Sequence, residues 1–430
     1  MSTNRRTFLT RLSAAGALAT PWLARAADDD RATDKPRKKI AFLGTVVHTH
    51  SHAQHFLDRL ALGYGWRGQW QNPRLEIASV YIDQFPQGDA DLGHQRVKKY
   101  GLKLYPSIED ALTLGTGKLA VDGVVIIAEH GKYPRNEKGQ TRYPRYEWFK
   151  KCVAVFEKSG RAVPVFNDKH LSTTWKECAE MVADSRRLGF PFFAGSSLPV
   201  TRRLPALDMP HGVALKESVC VAYGGVDSYD IHALETAQCM SERRKGGEVG
   251  IVSVHALRNE AMWKHLEHPD REDTRRLMVS ALTRSHNLPV SGGYYTDKIT
   301  FQWARQKFAN ATAYFIEHRD GFRTSMFLVG IQDFNYAGLR ADNGEIVSTQ
   351  MYLPMPTHGS TTADFFHPLA RHIEDTVLTG KVPYPADRTL LTSGMVIAGV
   401  ESLHRGGVLV ETPEMAVRYS VGKESTYWRD

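Results

Sequence analysis

Four histidines lie within eight positions near the beginning of the chain, at His48, His50, His52 and His55. Imidazole is the commonest metal-binding side chain, and three convergent imidazoles suit zinc. His52 and His55 are three residues apart where a helix is predicted to begin, so their side chains would share a face. The spacing predicts a metal site formed by His50, His52 and His55. The alternative is a polar loop whose histidines bind phosphate or backbone groups.

The turn after the first predicted strand is a candidate site for the pyrophosphate of a dinucleotide, which must closely approach a helix N-terminus. Gly44 and Thr45 open this turn, but only the first glycine of the usual glycine-rich pattern is present. Val46 and Val47 follow, where a bulky side chain would block close approach of a phosphate. The sequence therefore predicts a cofactor site that includes Gly44 and Thr45. It should bind NAD or NADP weakly unless the cofactor is retained during purification.

Three further side chains lie where predicted parallel strands end, at the edge that forms the ligand crevice in such sheets. Asp83 ends the second strand, where its carboxylate would bind ribose hydroxyls or simply cap the strand. Glu129 and His130 follow the fourth strand. We expect Asp83, Glu129 and His130 to belong to the cofactor site, although His130 could equally join a metal site.

The elements that must position these residues follow from an alternation of apolar runs and helical patterns, which predicts a doubly wound parallel sheet. Strands are expected at residues 39–44, 75–83, 103–105, 121–128, 162–168 and 191–194. After about residue 197 the strands become longer and more evenly spaced, which favours a mixed, largely antiparallel sheet. The predicted class is α/β, with a Rossmann-like dinucleotide-binding domain at 38–196 and an α/β substrate and oligomerisation domain at 197–430.

The first 26 residues have the features of an export signal. Arg5 and Arg6 precede an apolar run that ends in a small-residue cleavage motif at Ala24-Arg25-Ala26. Paired arginines of this kind are typical of the twin-arginine pathway, which exports folded proteins. We expect a periplasmic protein that begins near Ala27, followed by a flexible leader at 27–37. The intact mass of the periplasmic form tests this expectation, and a full-length cytoplasmic species as the only product would contradict it.

Charge and cysteine content argue against several other classes. The net charge is +8, and the signal carries four arginines and no acidic residue, so +4 remains after cleavage. There is no basic stripe and no nucleic-acid-binding motif, so no nucleic-acid partner is expected. No other segment is long and apolar enough to cross a membrane. The four cysteines form no Cys-x-x-Cys pair, and we expect buried free thiols.

Four stretches, in order along the chain, resemble the Gfo/Idh/MocA family of oxidoreductases, named for glucose–fructose oxidoreductase and inositol dehydrogenase. They are residues 121–128, the Asn-Asp-Lys-His-Leu segment that contains Lys169, the Gly-Gly-Val-Asp-Ser-Tyr-Asp-Ile-His segment that ends at His232, and the helix around 385–402. The resemblance implies a tightly held NAD or NADP and a sugar, polyol or sugar derivative as the substrate. A homo-oligomer formed through the C-terminal sheet is also implied.

The same resemblance assigns roles to individual residues. Lys169 would contact the nicotinamide and the substrate hydroxyl, beside Asp168 on the cofactor side, where the family usually has a glutamate. His232 would be the general acid/base, because a histidine titrates near the working pH. The family usually has an orienting aspartate four residues before this histidine, where this chain has a serine. Asp230 or Glu235 is therefore expected to hold the ring and complete the catalytic group.

Three functions remain open from the sequence. The first is a periplasmic oxidoreductase that acts on a carbohydrate-like substrate with NAD or NADP. The alternatives are a metal-dependent hydrolase or lyase that reuses the fold, and a non-catalytic sugar-binding protein. A nicotinamide nucleotide retained by the purified protein would favour the oxidoreductase, and a stoichiometric metal ion would favour the hydrolase or lyase. Sugar binding without nucleotide or metal would favour the non-catalytic protein. We expect Lys169 and His232 to face one cleft.

Overall fold

The structure of this chain is a computed structural model that describes residues 36–289, 297–354 and 362–429. The predicted signal at 1–26 and most of the predicted leader lie outside the described residues. From Lys38 onward the chain forms one compact unit that contains two main sheets.

The first sheet is built from apolar runs that are buried on both faces, as in parallel sheets covered by helices on either side. The strands of this part, including a short hairpin, are β1 (Lys39–Val46), β2 (Tyr64–Trp66), β3 (Gln69–Gln71), β4 (Glu76–Gln84), β5 (Gly123–Ile127), β6 (Val165–Asp168) and β7 (Phe192–Gly195). Its helices are α1 (His52–Leu62), α2 (Leu92–Tyr100), α3 (Ile108–Thr113), α4 (Arg145–Ser159) and α5 (Trp175–Leu188). The strand order is β4-β1-β5-β6-β7, and each pairing in it is parallel.

The second sheet is mixed, because β9 and β12 pair in parallel whereas all other strand pairings of this sheet are antiparallel. Its strands are β8 (Arg203–Leu204), β9 (Leu215–Ala222), β10 (Ile251–Arg258), β11 (Thr312–His318), β12 (Arg323–Leu328), β13 (Phe334–Arg340), β14 (Ile346–Met351) and β15 (Val410–Glu411). The helices of this part are α6 (Asp230–Ser241), α7 (Asn259–Glu267), α8 (Glu272–Leu282), α9 (Phe301–Lys307), α10 (His367–Thr379) and α11 (Ala386–His404). The predicted fold class is confirmed, although the run predicted as a strand at 103–105 makes only an isolated bridge between Leu104 and Val80.

Helices of the chain cover both faces of the second sheet. Along β9, Cys220 packs in the cluster that contains α6 and α11, whereas Val219 and Val221 pack with α7, α8 and α9. Successive residues of a strand point to opposite faces, so the two helical layers lie on opposite sides of the sheet. A homo-oligomer formed through this sheet would therefore have to use its edges, because its central strands are covered.

The C-terminal helices return to the first sheet. Ile373 and Val377 of α10 lie in the same core cluster as Ile40 and Phe42 of β1. Gly123 at the start of β5 allows this approach, because a Cβ atom there would lie 2.7 Å from a methyl carbon of Val377. Residues inside the predicted 197–430 domain thus complete the core of the first sheet.

Local features of the chain agree with several sequence expectations. Thr174 accepts a hydrogen bond from the backbone N–H of Glu177 and so caps the start of α5. The four cysteines are buried and free. No described helix combines the length and the apolar character needed to span a bilayer.

Candidate active site

The carboxyl ends of β1, β5 and β6 meet at one edge of the first sheet. Because neighbouring parallel strands end side by side, the residues that follow them share a crevice. This crevice contains a cavity of about 120 Å³, here called the reaction cavity, which is lined in part by His52, Glu129, His130, Lys169, His232 and Phe366. Lys169 and His232 therefore face one cavity, as the sequence predicts.

Lys169 is fixed in the reaction cavity by a buried ion pair. Its Nζ lies 2.7 Å from Glu129 Oε1 and donates a hydrogen bond of 3.2 Å to the carbonyl oxygen of Ser228. Burial alone would raise the pKa of Glu129, but the charges of Lys169 and Arg145 outweigh it and hold that pKa well below its ordinary value. Lys169 also has a φ of 63°, a strained conformation for a residue other than glycine. An ammonium group has three N–H donors, so one remains for a ligand.

Arg145, which was not among the predicted site residues, completes this charged cluster. Its guanidinium donates to Glu129 Oε2 at 2.7 Å and to His170 Nε2 at 3.0 Å, and its side chain is only 1% exposed. A signal was present in the sequence. Arg145 lies three and four residues before the buried Trp148 and Phe149 of α4, so it occupies the apolar face of that helix. An arginine in that position must enter the core and find a buried partner.

His52, which is partly exposed, forms a second pair with the buried Asp168. His52 Nδ1 lies 2.6 Å from Asp168 Oδ2, and the Asp168 side chain is 1% exposed. A carboxylate beside Nδ1 favours the tautomer with the proton on Nδ1, which leaves Nε2 as a proton acceptor. Asp168 was predicted in the cofactor site and His52 in a metal site, but the structure pairs them with each other. Together they have the arrangement of an oriented general base.

His232 reaches the reaction cavity from the first turn of α6, and its ring centroid lies 6.1 Å from that of His52. Burial, followed by the charge of Lys169, lowers the pKa of His232 well below its ordinary value. Its ring is therefore neutral at neutral pH. Its buried Nδ1 has no hydrogen-bond partner in the described part of the chain, so no neighbour orients this ring as Asp168 orients His52.

The expectation that Asp230 or Glu235 holds the His232 ring is wrong. Asp230 accepts a hydrogen bond from the Tyr314 hydroxyl at 3.0 Å, and Glu235 accepts one from the Ser196 N–H at 2.6 Å. Both carboxylates are fully buried, and neither lines the reaction cavity. Residues two apart on a helix do not share a face, which separates Asp230 from His232. Glu235 is instead held against the backbone that follows β7.

Replacing Glu235 with glutamine should flatten the pH dependence of stability. Burial raises the pKa of Glu235 from an ordinary value of 4.5 to about 7. A raised folded-state pKa contributes stability that is present below the unfolded value and lost as the pH rises through the folded value. Between about pH 5 and about pH 8, we expect the wild type to lose on the order of 2 kcal/mol relative to the variant. Urea unfolding of both proteins measures this, and parallel pH curves would contradict it.

The turn between β1 and α1 is closed by its own side chains. Ser51 Oγ accepts hydrogen bonds from the N–H groups of His48 and Gln54, and the Gln54 side chain accepts one from the N–H of His50. These N–H groups are therefore not available as donors to a pyrophosphate. Val47 was expected to block a phosphate, but it is fully buried in the core of the first sheet. The restriction comes from the occupied donors rather than from the valine.

Gly44 and Thr45, both predicted to bind the cofactor, are engaged inside the protein. Thr45 is fully buried, and its hydroxyl donates a hydrogen bond of 2.5 Å to the carbonyl oxygen of Glu129. A Cβ atom on Gly44 would lie 3.2 Å from the Phe42 ring, so the glycine serves close packing of the strand. By contrast, His130 faces the reaction cavity, as predicted for a residue of the site. Its ring lies edge-on to the ring of His48, with centroids 5.1 Å apart.

Asp83 is also engaged, by tyrosines rather than by a ribose. Its carboxylate accepts hydrogen bonds from Tyr81 at 2.8 Å and from Tyr133 at 2.6 Å. Beside it, the Gln84 side chain makes two hydrogen bonds with the backbone of Lys132. The segment after β5 is thus tied to the end of β4, across the crevice where Rossmann-like folds bind a dinucleotide. In this arrangement the described residues do not fit a complete NAD or NADP.

The structure does not support the predicted metal site at His50, His52 and His55. Within residues 36–289, 297–354 and 362–429, no group of three or more histidine, cysteine, aspartate or glutamate side chains is arranged to hold a metal ion. His52 is paired with Asp168, and His55 stacks on Phe366 with ring centroids 4.9 Å apart. Burial, followed by the charge of Arg59, lowers the pKa of His55 to about 2. The helical spacing places His52 and His55 on one face of α1, but Asp168 and Phe366 contact the two rings there, so the rings do not converge on a metal ion.

No family model matches this sequence, and no curated protein matches it. Solved structures with a similar fold include GenD2 from gentamicin A biosynthesis in complex with NAD, at 12% identity and a TM-score of 0.53, covering 88% of this chain and 97% of that one. Another is myo-inositol dehydrogenase from Lactobacillus casei in complex with NAD(H) and myo-inositol, at 10% identity and a TM-score of 0.51, with the same coverage. A probable dehydrogenase from Thermotoga maritima is 10% identical with a TM-score of 0.52, covering 88% and 99%. At these identities the likeness shows a shared fold.

Proposed function

We propose that this protein is an oxidoreductase that acts on a hydroxyl group of a sugar, a polyol or a sugar derivative, with NAD or NADP as the hydride partner. The observation that carries the proposal is the convergence of Lys169, His52 and His232 on one small cavity at the carboxyl ends of parallel strands. The similar folds described with NAD and with myo-inositol support this class of cofactor and substrate.

The residues of the reaction cavity suggest how the hydroxyl proton would leave. The free N–H of Lys169 would donate to the substrate oxygen, and Glu129 holds the ammonium group in place. His52 Nε2 would accept the proton, because Asp168 holds its ring and stabilises the imidazolium that forms. His232 would then line the substrate as a neutral imidazole rather than act as the principal base.

Dinucleotide binding in this proposal requires the segment after β5 to release Asp83. We expect weak binding of NAD and NADP to the cofactor-free wild type, because Tyr133 competes for the Asp83 carboxylate. The Tyr133→Phe variant should bind NAD about fivefold more tightly, since one hydrogen bond of about 1 kcal/mol no longer competes. Calorimetric titration measures this. Tyr146→Phe, which removes a tyrosine–carboxylate bond on α4, is the matched control.

Two outcomes of that titration would count against the proposal. Tight, reversible binding to the cofactor-free wild type would show that the turn and crevice have been misinterpreted. A failure of wild type and Tyr133→Phe to bind either nucleotide, together with no nicotinamide released from the purified protein, would remove the oxidoreductase assignment.

A second candidate function is a lyase that removes a substrate proton without hydride transfer. The observation that favours it is the occupied dinucleotide crevice beside an oriented His52–Asp168 pair. Mass spectrometry of small molecules released from the purified protein separates the candidates. A nicotinamide nucleotide supports the oxidoreductase, whereas turnover of a sugar without any nucleotide supports the lyase. Sugar binding without turnover would instead support the non-catalytic alternative.

Location and assembly are separate proposals. We infer export to the periplasm from the Arg5-Arg6 signal, and a mature chain that begins near Ala27. We also infer that the part at 38–196 holds the cofactor and the part at 197–430 contributes the substrate side. Any homo-oligomer would use sheet edges or helices, and light scattering of the mature protein tests whether one forms.

A further inference from the structure

We propose that the substrate is an acidic saccharide longer than one sugar, with its second part bound in a cleft beside the reaction cavity. This inference rests on the proposed function and deepens it. The cleft, here called the aromatic cleft, has a volume of about 780 Å³ and is lined in part by Tyr64, Trp66, Trp70, Arg202, His367 and Trp428. A ligand site of this size is typical for small molecules, whereas the reaction cavity of about 120 Å³ is too small for a disaccharide.

The aromatic cleft and the reaction cavity are neighbours. His50 and His55 line both of them, so a ligand that extends past these two rings would enter the second space from the first. The His55 ring is buried and stacks on Phe366, which fixes one wall between the two spaces. A terminal sugar in the reaction cavity would thus place the next sugar in the aromatic cleft.

Tryptophans give the aromatic cleft its affinity for sugar rings. Trp66 and Trp428 stack in parallel, with ring centroids 5.3 Å apart and planes 9° apart. Trp70 is 60% exposed, and its indole N–H is bonded to the carbonyl oxygen of Leu62 at 3.2 Å. An indole fixed at its polar edge and open on its faces presents a rigid apolar surface, against which the C–H face of a pyranose can pack. Core packing gives no reason for such an exposed indole.

Arg202 is the arginine of the cleft that points to an acidic ligand. The Arg202 guanidinium lies 3.6 Å from the centre of the Trp428 ring, and its Nε has no hydrogen-bond partner among the described residues. Among the described residues, both terminal nitrogens of Arg59 already donate hydrogen bonds to carbonyl oxygens, at His55, Thr362 and Ala363, and Asp364 also lines the cleft. By contrast, the Arg96 guanidinium is paired with Asp58.

Because the Arg202 guanidinium has no carboxylate partner among the described residues, it favours an anionic group at this point of the cleft. A planar guanidinium binds a carboxylate through two parallel hydrogen bonds, and a stacked guanidinium is held ready for this. A uronic acid combines the carboxylate with the pyranose face that an indole prefers. The aromatic cleft thus has complementary groups for both parts of such a sugar.

Binding of defined saccharides to the full mature protein tests the inference without any nucleotide. The probes are the trisaccharides of galacturonate, mannuronate and guluronate, their three monosaccharides, and neutral maltotriose and cellotriose. Tryptophan fluorescence and calorimetry report binding. We expect at least one acidic trisaccharide to bind about 10-fold or more tightly than its monosaccharide and than the neutral trisaccharides.

Variants identify the cleft as the site. Trp70→Ala should weaken the preferred acidic trisaccharide about 10-fold, and Arg202→Gln should weaken it similarly while leaving neutral trisaccharides unchanged. Leu409→Ala, which removes another exposed apolar side chain outside the cleft, is the control and should bind like the wild type.

The inference is overturned if all three acidic trisaccharides bind no better than their monosaccharides, or if Trp70→Ala and Arg202→Gln bind like the wild type. Those results leave the proposed function intact where a monosaccharide is still turned over. A failure of turnover with all sugars, while the acidic trisaccharide still binds through Trp70, would instead remove the proposed function and keep the ligand site.

Discussion

The His52→Ala variant is expected to lower kcat by about 100-fold or more, because a positioned general base typically contributes that much. The physical reason is the 2.6 Å contact between His52 Nδ1 and Asp168 Oδ2, which orients the ring and stabilises its charged form. Asp168→Asn should produce a loss of similar size with the fold intact, since an asparagine amide cannot stabilise the imidazolium. Initial rates with the substrate identified by screening, at saturating concentration, measure both effects.

A matched control exists on the surface. His94 Nδ1 lies 2.6 Å from Asp91 Oδ2, the same distance as in the His52–Asp168 pair, but the His94 side chain is 60% exposed, against 16% for His52. His94→Ala should leave kcat unchanged. If His232→Ala abolishes turnover while His52→Ala does not, then His232 is the base, as the family resemblance implied, and the role given to the His52–Asp168 pair is wrong.

Glu129→Gln is expected to lower the free energy of unfolding by about 3–5 kcal/mol, because it leaves two buried cations without their anion. Glu129 contacts Lys169 and Arg145 at 2.7 Å each, and all three side chains are at most 7% exposed. Glu109→Gln is the control, since Glu109 pairs with Lys158 at 2.9 Å on the surface, where both are more than half exposed. Such surface pairs contribute about 0–1 kcal/mol. Urea unfolding at constant pH measures both variants.

The pH dependence of the Glu129 variant follows from the same network. In the wild type, the folded-state pKa of Glu129 is held well below its ordinary value. The Glu129 carboxylate therefore stabilises the fold fully above the ordinary pKa, and this contribution is lost as the pH falls through the folded-state pKa. The difference between wild type and Glu129→Gln should therefore be constant at neutral pH and shrink only in acid. An equal loss in Glu129→Gln and Glu109→Gln would show that the buried cluster does not stabilise the fold.

The first sheet could be predicted because buried parallel strands require near-continuous apolar runs, which the sequence shows at β1, β5 and β6. The positions of Glu129 and Lys169 then follow from where those strands end. The His52–Asp168 pair could not be predicted, because 116 positions separate the two residues. Their contact depends on the strand order β1-β5-β6 and on side-chain rotamers, neither of which is visible in local spacing.

The metal prediction failed for a related reason. Periodicity shows which residues share a face of α1, but not what packs against that face. Phe366, which follows more than 300 positions later, stacks on His55 at 4.9 Å and contacts the His52 ring at 5.2 Å. Similarly, the sequence placed Asp83 at a strand end, but the tyrosine that occupies its carboxylate comes from a loop 50 positions away.

The return of α10 to the first sheet bears on the order in which the chain can fold during synthesis. A ribosome makes β1 and β5 early, but the residues of α10 that bury Ile40 and Phe42 emerge only after most of the chain has been translated. Until then the part of this face of the sheet that α1 does not cover stays exposed to solvent and to other nascent chains. Truncation before His367 should therefore yield an aggregation-prone fragment rather than a stable N-terminal half. Any partner that binds only the native protein can therefore act only after the last helices have left the ribosome and the fold is complete.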